Sequence, residues 1–132
     1  MAQHVTPDDI QRANARFNAA EPGFDTTAAI ITWAAEHFMP RLAMTSSFQT
    51  QSVALLHIMS QVQPDIPVIF LDTGYHFPET VAYRDELVER FGLMLTIARP
   101  VTTQSDQIRQ YGDALYRRDP DLCCYINKVE PM

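Results

Sequence analysis

The stretch Val68-Ile69-Phe70-Leu71-Asp72-Thr73-Gly74 decides the fold. Its first four residues favour β structure and do not alternate with polar ones, so both faces of the strand need cover, as a central parallel strand requires. Asp72-Thr73-Gly74 ends the strand in a turn, where glycine permits a positive φ. Upstream, Pro64 and Pro67 bracket a turn. Before them, Leu42 to Thr45 fits a short buried strand, and Ser46 to Gln51 is polar. From Ser52 the period changes, with Leu55, Ile58, Met59 and Val62 on one helical face. Downstream, Pro78-Glu79 opens a helix that aligns Tyr83, Leu87 and Phe91 and stops at Gly92. Leu93 to Ala98 then reads as a third strand ahead of Pro100.

Two helices precede this unit. Thr6-Pro7-Asp8-Asp9 caps and starts the first, with Ile10, Ala13 and Phe17 at helical spacing and Pro22-Gly23 as its stop. Asp25 caps the second, which carries Ile31, Ala34, Ala35 and Phe38 and ends at Pro40. Thr103 to Lys128 reads as helical, interrupted at Gly112 and at Asp119-Pro120. Two helices followed by three βα units predict an α/β layer, a parallel sheet with flanking helices. Residues 1–132 form one domain: N-terminal helices over 1–40 and an α/β core over 41–132. Ligands in such folds sit at the carboxyl ends of strands. Two polar turns lie there, Thr45 to Ser52 and Asp72 to His76.

The chain has 132 residues, 46% hydrophobic and 20% charged, which suits one soluble globular domain. The apolar run Val68 to Leu71 is far short of the ~20 residues that span a membrane. Met1 to Ile10 contains acids and no apolar stretch, so it does not read as a signal peptide. Ten basic against sixteen acidic residues give a net charge of −6, which argues against binding nucleic acid through its phosphates. Two cysteines make no secreted disulfide scaffold, so the cytoplasm is the expected compartment and the thiols are expected reduced. Residues 99–132 balance five bases against five acids, whereas residues 1–98 hold five bases and eleven acids. An anionic ligand is least repelled by the last quarter.

Three segments can carry chemistry. Ser46-Ser47-Phe48-Gln49-Thr50-Gln51-Ser52 joins a strand to a helix N-terminus, where free amides, the helix dipole and hydroxyls favour an anion. It lacks the glycines and Lys-Ser/Thr pair of a Walker loop, and its spacing alone also fits an ordinary polar turn with a serine cap. Asp72, at the end of Leu71-Asp72-Thr73-Gly74, suits a ribose hydroxyl or a base edge, or a plain strand-ending turn. Cys123-Cys124 is an adjacent pair, closer than zinc sites normally space thiolates. It fits either two ligands of an iron–sulfur cluster or a pair of helix cysteines. Lys128, four or five residues on, returns to the same side of a helix and places a cation near the thiols.

Taken together these segments resemble the sulfonucleotide reductases of assimilatory sulfate reduction, a step toward cysteine. The matching motifs are Ser46-Ser47-Phe48, then Val68-Ile69-Phe70-Leu71-Asp72-Thr73-Gly74-Tyr75-His76-Phe77-Pro78-Glu79-Thr80, then Tyr111-Gly112, then Cys123-Cys124-Tyr125-Ile126-Asn127-Lys128-Val129-Glu130-Pro131. The resemblance implies an adenine nucleotide alpha hydrolase-like fold with a modified pyrophosphate loop over Ser46 to Ser52. It implies adenosine held at Leu71 to Gly74. It also implies that Cys123 and Cys124 supply two of the four thiolates of a [4Fe–4S] cluster, with Lys128 between cluster and substrate. The implied reaction converts adenylyl sulfate to sulfite and AMP. A C-terminal cysteine attacks the sulfate sulfur, and thioredoxin or a similar thiol donor releases the sulfite.

The sequence departs from that pattern in three places. It stops at Met132, with no counterpart of the second cysteine pair or the nucleophilic cysteine. A chain incomplete at its C-terminus, inactive alone and prone to form homo-oligomers is therefore expected. Gln49 stands where glycine is expected in the loop. Asn127 stands where many cluster-bearing members carry arginine, and Ile126 to Met132 is similar to the cluster-free branch. Phosphoadenylyl sulfate as substrate, an ATP-using enzyme of the same superfamily and a non-catalytic nucleotide-binding fragment are the alternatives.

Overall fold

The computed structural model describes residues 4–19 and 25–132. Helix α1 spans Pro7–Asn18 and opens with a reciprocal cap, Asp9 N–H to Thr6 Oγ1 at 3.2 Å and Thr6 N–H to Asp9 Oδ2 at 2.9 Å. The Thr6 hydroxyl and the Thr6 N–H, both donating to Asp9 Oδ2, with Arg12 beside them, hold the exposed Asp9 carboxyl well below the usual carboxylate range. The stop expected at Pro22-Gly23 lies outside the described residues. Helix α2 covers Thr26–Phe38, with Asp25 accepting from Ala28 N–H at 3.0 Å.

The core alternates β1 (Met44–Thr45), α3 (Thr50–Val62), β2 (Pro67–Leu71), α4 (Pro78–Phe91) and β3 (Met94–Ala98). The strands pair in parallel in the order β1-β2-β3, with Met44 opposite Val68 and Leu71 opposite Ala98. The sheet thus places the strand that decided the reading at its centre. Beyond it come α5 (Gln104–Tyr111), α6 (Leu115–Arg118), α7 (Pro120–Cys124) and a π-helical turn over Tyr125–Val129. The architecture is α/β, as the alternation predicts.

Several boundaries move. β1 has two residues rather than four, because Leu42 packs on the core outside the ladder; pairing still continues through Ser46 N–H to Ile69 O at 3.1 Å. α3 begins at Thr50 rather than Ser52, with Gln49 as its cap residue. Its core face is centred on Leu56 and Met59, both fully buried, while Leu55 is exposed. The run Val53-Ala54-Leu55-Leu56 satisfies either registry by spacing, and only packing against β2 selects one. On α4 Leu87 is buried and Tyr83 exposed, and the inward position beside them goes to Arg84. The Arg84 guanidinium lies 4.9 Å from the Phe70 ring centroid, which offsets part of the cost of burying it.

The main core gathers Phe48, Leu56, Met59, Val68 and Phe70, and a second cluster joins Leu115, Cys123 and Ile126. Leu56→Ala should cost about 2–5 kcal/mol in urea unfolding, and Leu55→Ala less than about 1 kcal/mol. Equal losses from the two would contradict this registry.

Candidate functional site

The loop between β1 and α3 is held by its one apolar residue. Phe48 takes a left-handed backbone, φ 57°, and buries its ring against Phe70 at 5.7 Å between centroids, edge to face. For a non-glycine residue such a φ costs on the order of 1 kcal/mol, offset here by burial of the ring. Ser46 Oγ accepts from Phe48 N–H at 3.1 Å and steadies the bend. The polar residues on either side are thereby turned outward. Gln49 caps α3 without a side-chain bond, so the helix N-terminus is left open to an external acceptor.

Ser46, Ser47, Gln49 and Ser52 wall a cavity of about 630 Å³ floored by the end of β2. A second cavity of about 440 Å³ adjoins it, lined by Tyr75, Tyr116, Cys123 and Cys124. Both are lined by Thr73, His76 and Lys128, which join them into one groove. The groove therefore runs from a serine-rich helix N-terminus, past an ammonium group, to two thiols. Burial pushes the Tyr75 phenol above its ordinary range, helped by Cys123 and Tyr116, so its hydroxyl remains a donor at neutral pH.

The π-helical turn explains how Lys128 reaches this groove. Its wider closure, Glu130 N–H to Tyr125 O at 2.9 Å, changes the direction of side chains that follow the cysteine pair. Asn127 is buried at the wall of the cysteine-side cavity. It exchanges hydrogen bonds with the buried Gln107 amide, Gln107 Nε2–H to Asn127 Oδ1 at 2.8 Å and Asn127 Nδ2–H to Gln107 Oε1 at 3.0 Å. Asn127 Nδ2 also donates to the Cys123 carbonyl at 2.9 Å. This reciprocal pair ties α5 to the turn that carries Lys128.

Comparison with known proteins gives the family and the fold. The family described as the phosphoadenosine phosphosulfate reductase domain matches residues 41–132. The chain belongs to this family. It is 43% identical over 107 residues to the adenosine 5'-phosphosulfate reductase of Streptomyces coelicolor, covering 81% of this chain and 44% of the relative. It is 40% identical over 105 residues to the phosphoadenosine 5'-phosphosulfate reductase of Gloeobacter violaceus, covering 79% and 44% respectively. A crystal structure of the phosphoadenylyl-sulfate reductase of Candida auris, in a phosphate complex, superposes with a TM-score of 0.78 at 25% identity, over 99% of this chain and 62% of that one. The chain spans about half the length of the curated relatives it matches.

Within this reductase-family fold the residues singled out in the sequence divide among several surfaces. Ser46, Ser47, Gln49, Ser52, Leu71, Thr73 and Lys128 line the groove, as do Cys123 and Cys124 at its far end. Thr50 and Gln51 line a neighbouring hollow of about 660 Å³ with Glu79 and Thr80, and Gln49 lines both it and the groove. The Phe48 ring is a core anchor, with 1% of the residue exposed, and Phe48 also lines this hollow. Asp72 and Gly74 face a small crevice at the ends of β2 and β3 instead. Asp72 Oδ1 is taken by Gly74 N–H at 3.0 Å and Oδ2 stands 3.5 Å from Arg99 Nε, so its carboxylate serves the turn. Arg109 pairs with Asp106, and Arg118 donates to the Tyr111 and Asp113 carbonyls. His76 had no ligand-type spacing and was not singled out; only the fold brings it beside Lys128.

The thiols fit a cluster as far as they go. Cys123 is buried and Cys124 exposed, and both are free. Asn127 Nδ2 stands 3.6 Å from Cys123 Sγ, a donor that suits a thiolate ligand. Among the described residues no group of three or more His, Cys, Asp or Glu side chains is placed to hold a metal ion. The donor set on this chain is therefore two thiols.

Replacing either Gln107 or Asn127 by Ala leaves the facing buried amide oxygen unpaired and should cost about 1–3 kcal/mol. The double variant should cost clearly less than the sum in urea titrations. Additive losses would show that the two amides act independently.

Proposed function

We propose that this chain is the nucleotide-binding part of a sulfonucleotide reductase whose substrate is adenylyl sulfate. The observation that carries the reading is the single groove shared by the serine loop, Lys128 and the cysteine pair. The substrate is an anion with a sulfate at one end and an adenosine at the other. The open N-terminus of α3 and the serine hydroxyls suit its phosphate, and Lys128 suits the negative charge that builds on the leaving AMP. Leu71 and Thr73 at the strand end are the proposed adenosine contacts.

The reaction is transfer of the sulfo group to a thiolate. A sulfur–sulfur bond forms, the sulfur–oxygen bond to AMP breaks, and AMP leaves with the electron pair. A dithiol donor of the thioredoxin type then displaces sulfite and becomes a disulfide. Cys123 and Cys124 would hold two corners of a [4Fe–4S] cluster, and a cubane needs four thiolates. When bound, that cluster supplies a charged centre at the sulfate end of the groove. With both cysteines in that role, the attacking thiol comes from outside these 132 residues. No helix among the described residues is long and apolar enough to cross a membrane. Free thiols and a thioredoxin-type donor would suit a cytoplasmic setting, which belongs to the same reading. Phosphoadenylyl sulfate is the second reading, favoured by the name of the Gloeobacter relative.

Anaerobic calorimetry with adenylyl sulfate, phosphoadenylyl sulfate and ATP tests the reading. Adenylyl sulfate should bind most tightly, and Lys128→Met should weaken it by about tenfold or more, the scale of a lost charge-assisted hydrogen bond. Preference for ATP, or no binding of any of the three, would overturn the reading.

A further inference from the structure

His76 stands where the two halves of the groove meet. Its Nε2 lies 2.9 Å from the Leu71 carbonyl oxygen. A carbonyl only accepts, so Nε2 carries the proton and Nδ1 of the neutral ring keeps its lone pair. The ring is half-buried and lies against Phe70, 4.9 Å between centroids, which together with the Leu71 bond fixes its orientation. Nδ1 has no hydrogen-bond partner among the described residues. His76 lines both cavities, a position it shares only with Thr73 and Lys128. Thr73 Oγ1 is engaged with Tyr75 N–H at 3.2 Å, and Lys128 is a donor. Nδ1 is thus an oriented acceptor at the middle of a groove that also offers hydroxyl and ammonium donors to an anion.

We propose that His76 is a substrate-contacting residue that accepts a hydrogen bond from a ribose hydroxyl and thereby reads the sugar. The inference rests on the sulfonucleotide reading above. A phosphosulfate group has no proton to offer an acceptor at neutral pH, so the nucleoside must supply the donor. The adenine amine lies at the far end of the nucleotide, whereas the ribose is joined directly to the phosphate. An acceptor whose ring donates to the Leu71 carbonyl and which lines the groove with Thr73 sits beside the proposed adenosine contacts, and therefore meets the ribose. A 3′-phosphate in place of the 3′-hydroxyl removes a donor and adds negative charge facing a lone pair, so His76 disfavours phosphoadenylyl sulfate if it reads the 3′ position.

The test compares adenylyl sulfate with its 2′-deoxy and 3′-deoxy analogues by calorimetry, on the wild-type chain and on His76→Phe. Phenylalanine keeps a ring against Phe70 and removes both nitrogens. One of the two deoxy analogues should bind the wild-type chain about 3- to 10-fold more weakly, the scale of one neutral hydrogen bond. That difference should vanish in His76→Phe. On the wild-type chain, the ¹⁵N resonance of His76 Nδ1 should shift on adding adenylyl sulfate while Nε2 stays protonated, a readout that does not depend on the variant's folding. Equal deoxy penalties in both proteins, or an unmoved Nδ1 resonance in a chain that binds adenylyl sulfate, would overturn the assignment and leave the sulfonucleotide reading standing. A wild-type chain that binds no sulfonucleotide would end both.

Discussion

Phe70, on the central strand, is where the fold and the groove are joined. Its ring touches Phe48 at 5.7 Å, His76 at 4.9 Å and the Arg84 guanidinium at 4.9 Å, and it is itself buried. Phe48 accepts a strained backbone because this contact holds its ring inside. The strain turns the loop so that Ser46, Ser47 and Gln49 face outward onto the carboxyl end of the sheet. The same ring orients His76. One aromatic residue on β2 thus supports the loop on one flank of the groove and the imidazole at its centre. Arg84 carries the cost of this arrangement: its Nη1 is buried with no hydrogen-bond partner among the described residues, while its Nε and Nη2 donate to Asp85.

The other end of the groove depends on polar contacts rather than aromatic ones. The Gln107–Asn127 pair satisfies two buried amides against each other, so it fixes the π-helical turn without leaving unpaired donors. With that turn fixed, Cys123, Cys124 and Lys128 open onto the same cavity. An arginine at position 127 would bring a charge into this buried space, whereas asparagine is fully engaged there. Asn127 supports the cysteine turn through its pair with Gln107, and Lys128 is the cation that lines the groove.

Much of this was legible in the sequence because it depends on local chemistry. The unbroken apolar run at 68–71 identified the central strand, and the caps at Thr6 and Asp25 and the stop at Gly92 fixed helix ends. Serines after a strand, and a lysine four residues past a cysteine pair, predicted polar lining that the fold brings together. What stayed hidden depends on packing across the chain. Leu55 and Leu56 are interchangeable by period, and only contact with the sheet separates them. Phe48 looked like a loop residue because nothing local shows that Phe70 lies beneath it. Arg84 and Gln107 are polar residues on helices whose inward faces are set by distant partners. Asp72 fits a nucleoside contact or a strand-ending turn equally well by sequence, and only the fold shows its carboxylate closing its own turn and facing Arg99.

The central claim is that one continuous groove, from the serine loop past Lys128 to the cysteine pair, receives the nucleotide. Backbone amide shifts of the ¹⁵N-labelled chain on titration with adenylyl sulfate test it most directly. The account predicts that the largest shifts fall at Ser46 to Ser52, at Thr73 and His76, and at Cys124 to Lys128, saturating together. Shifts centred instead on the hollow of Glu79, Thr80 and Tyr83, or on the cleft between α1 and α2, would contradict it.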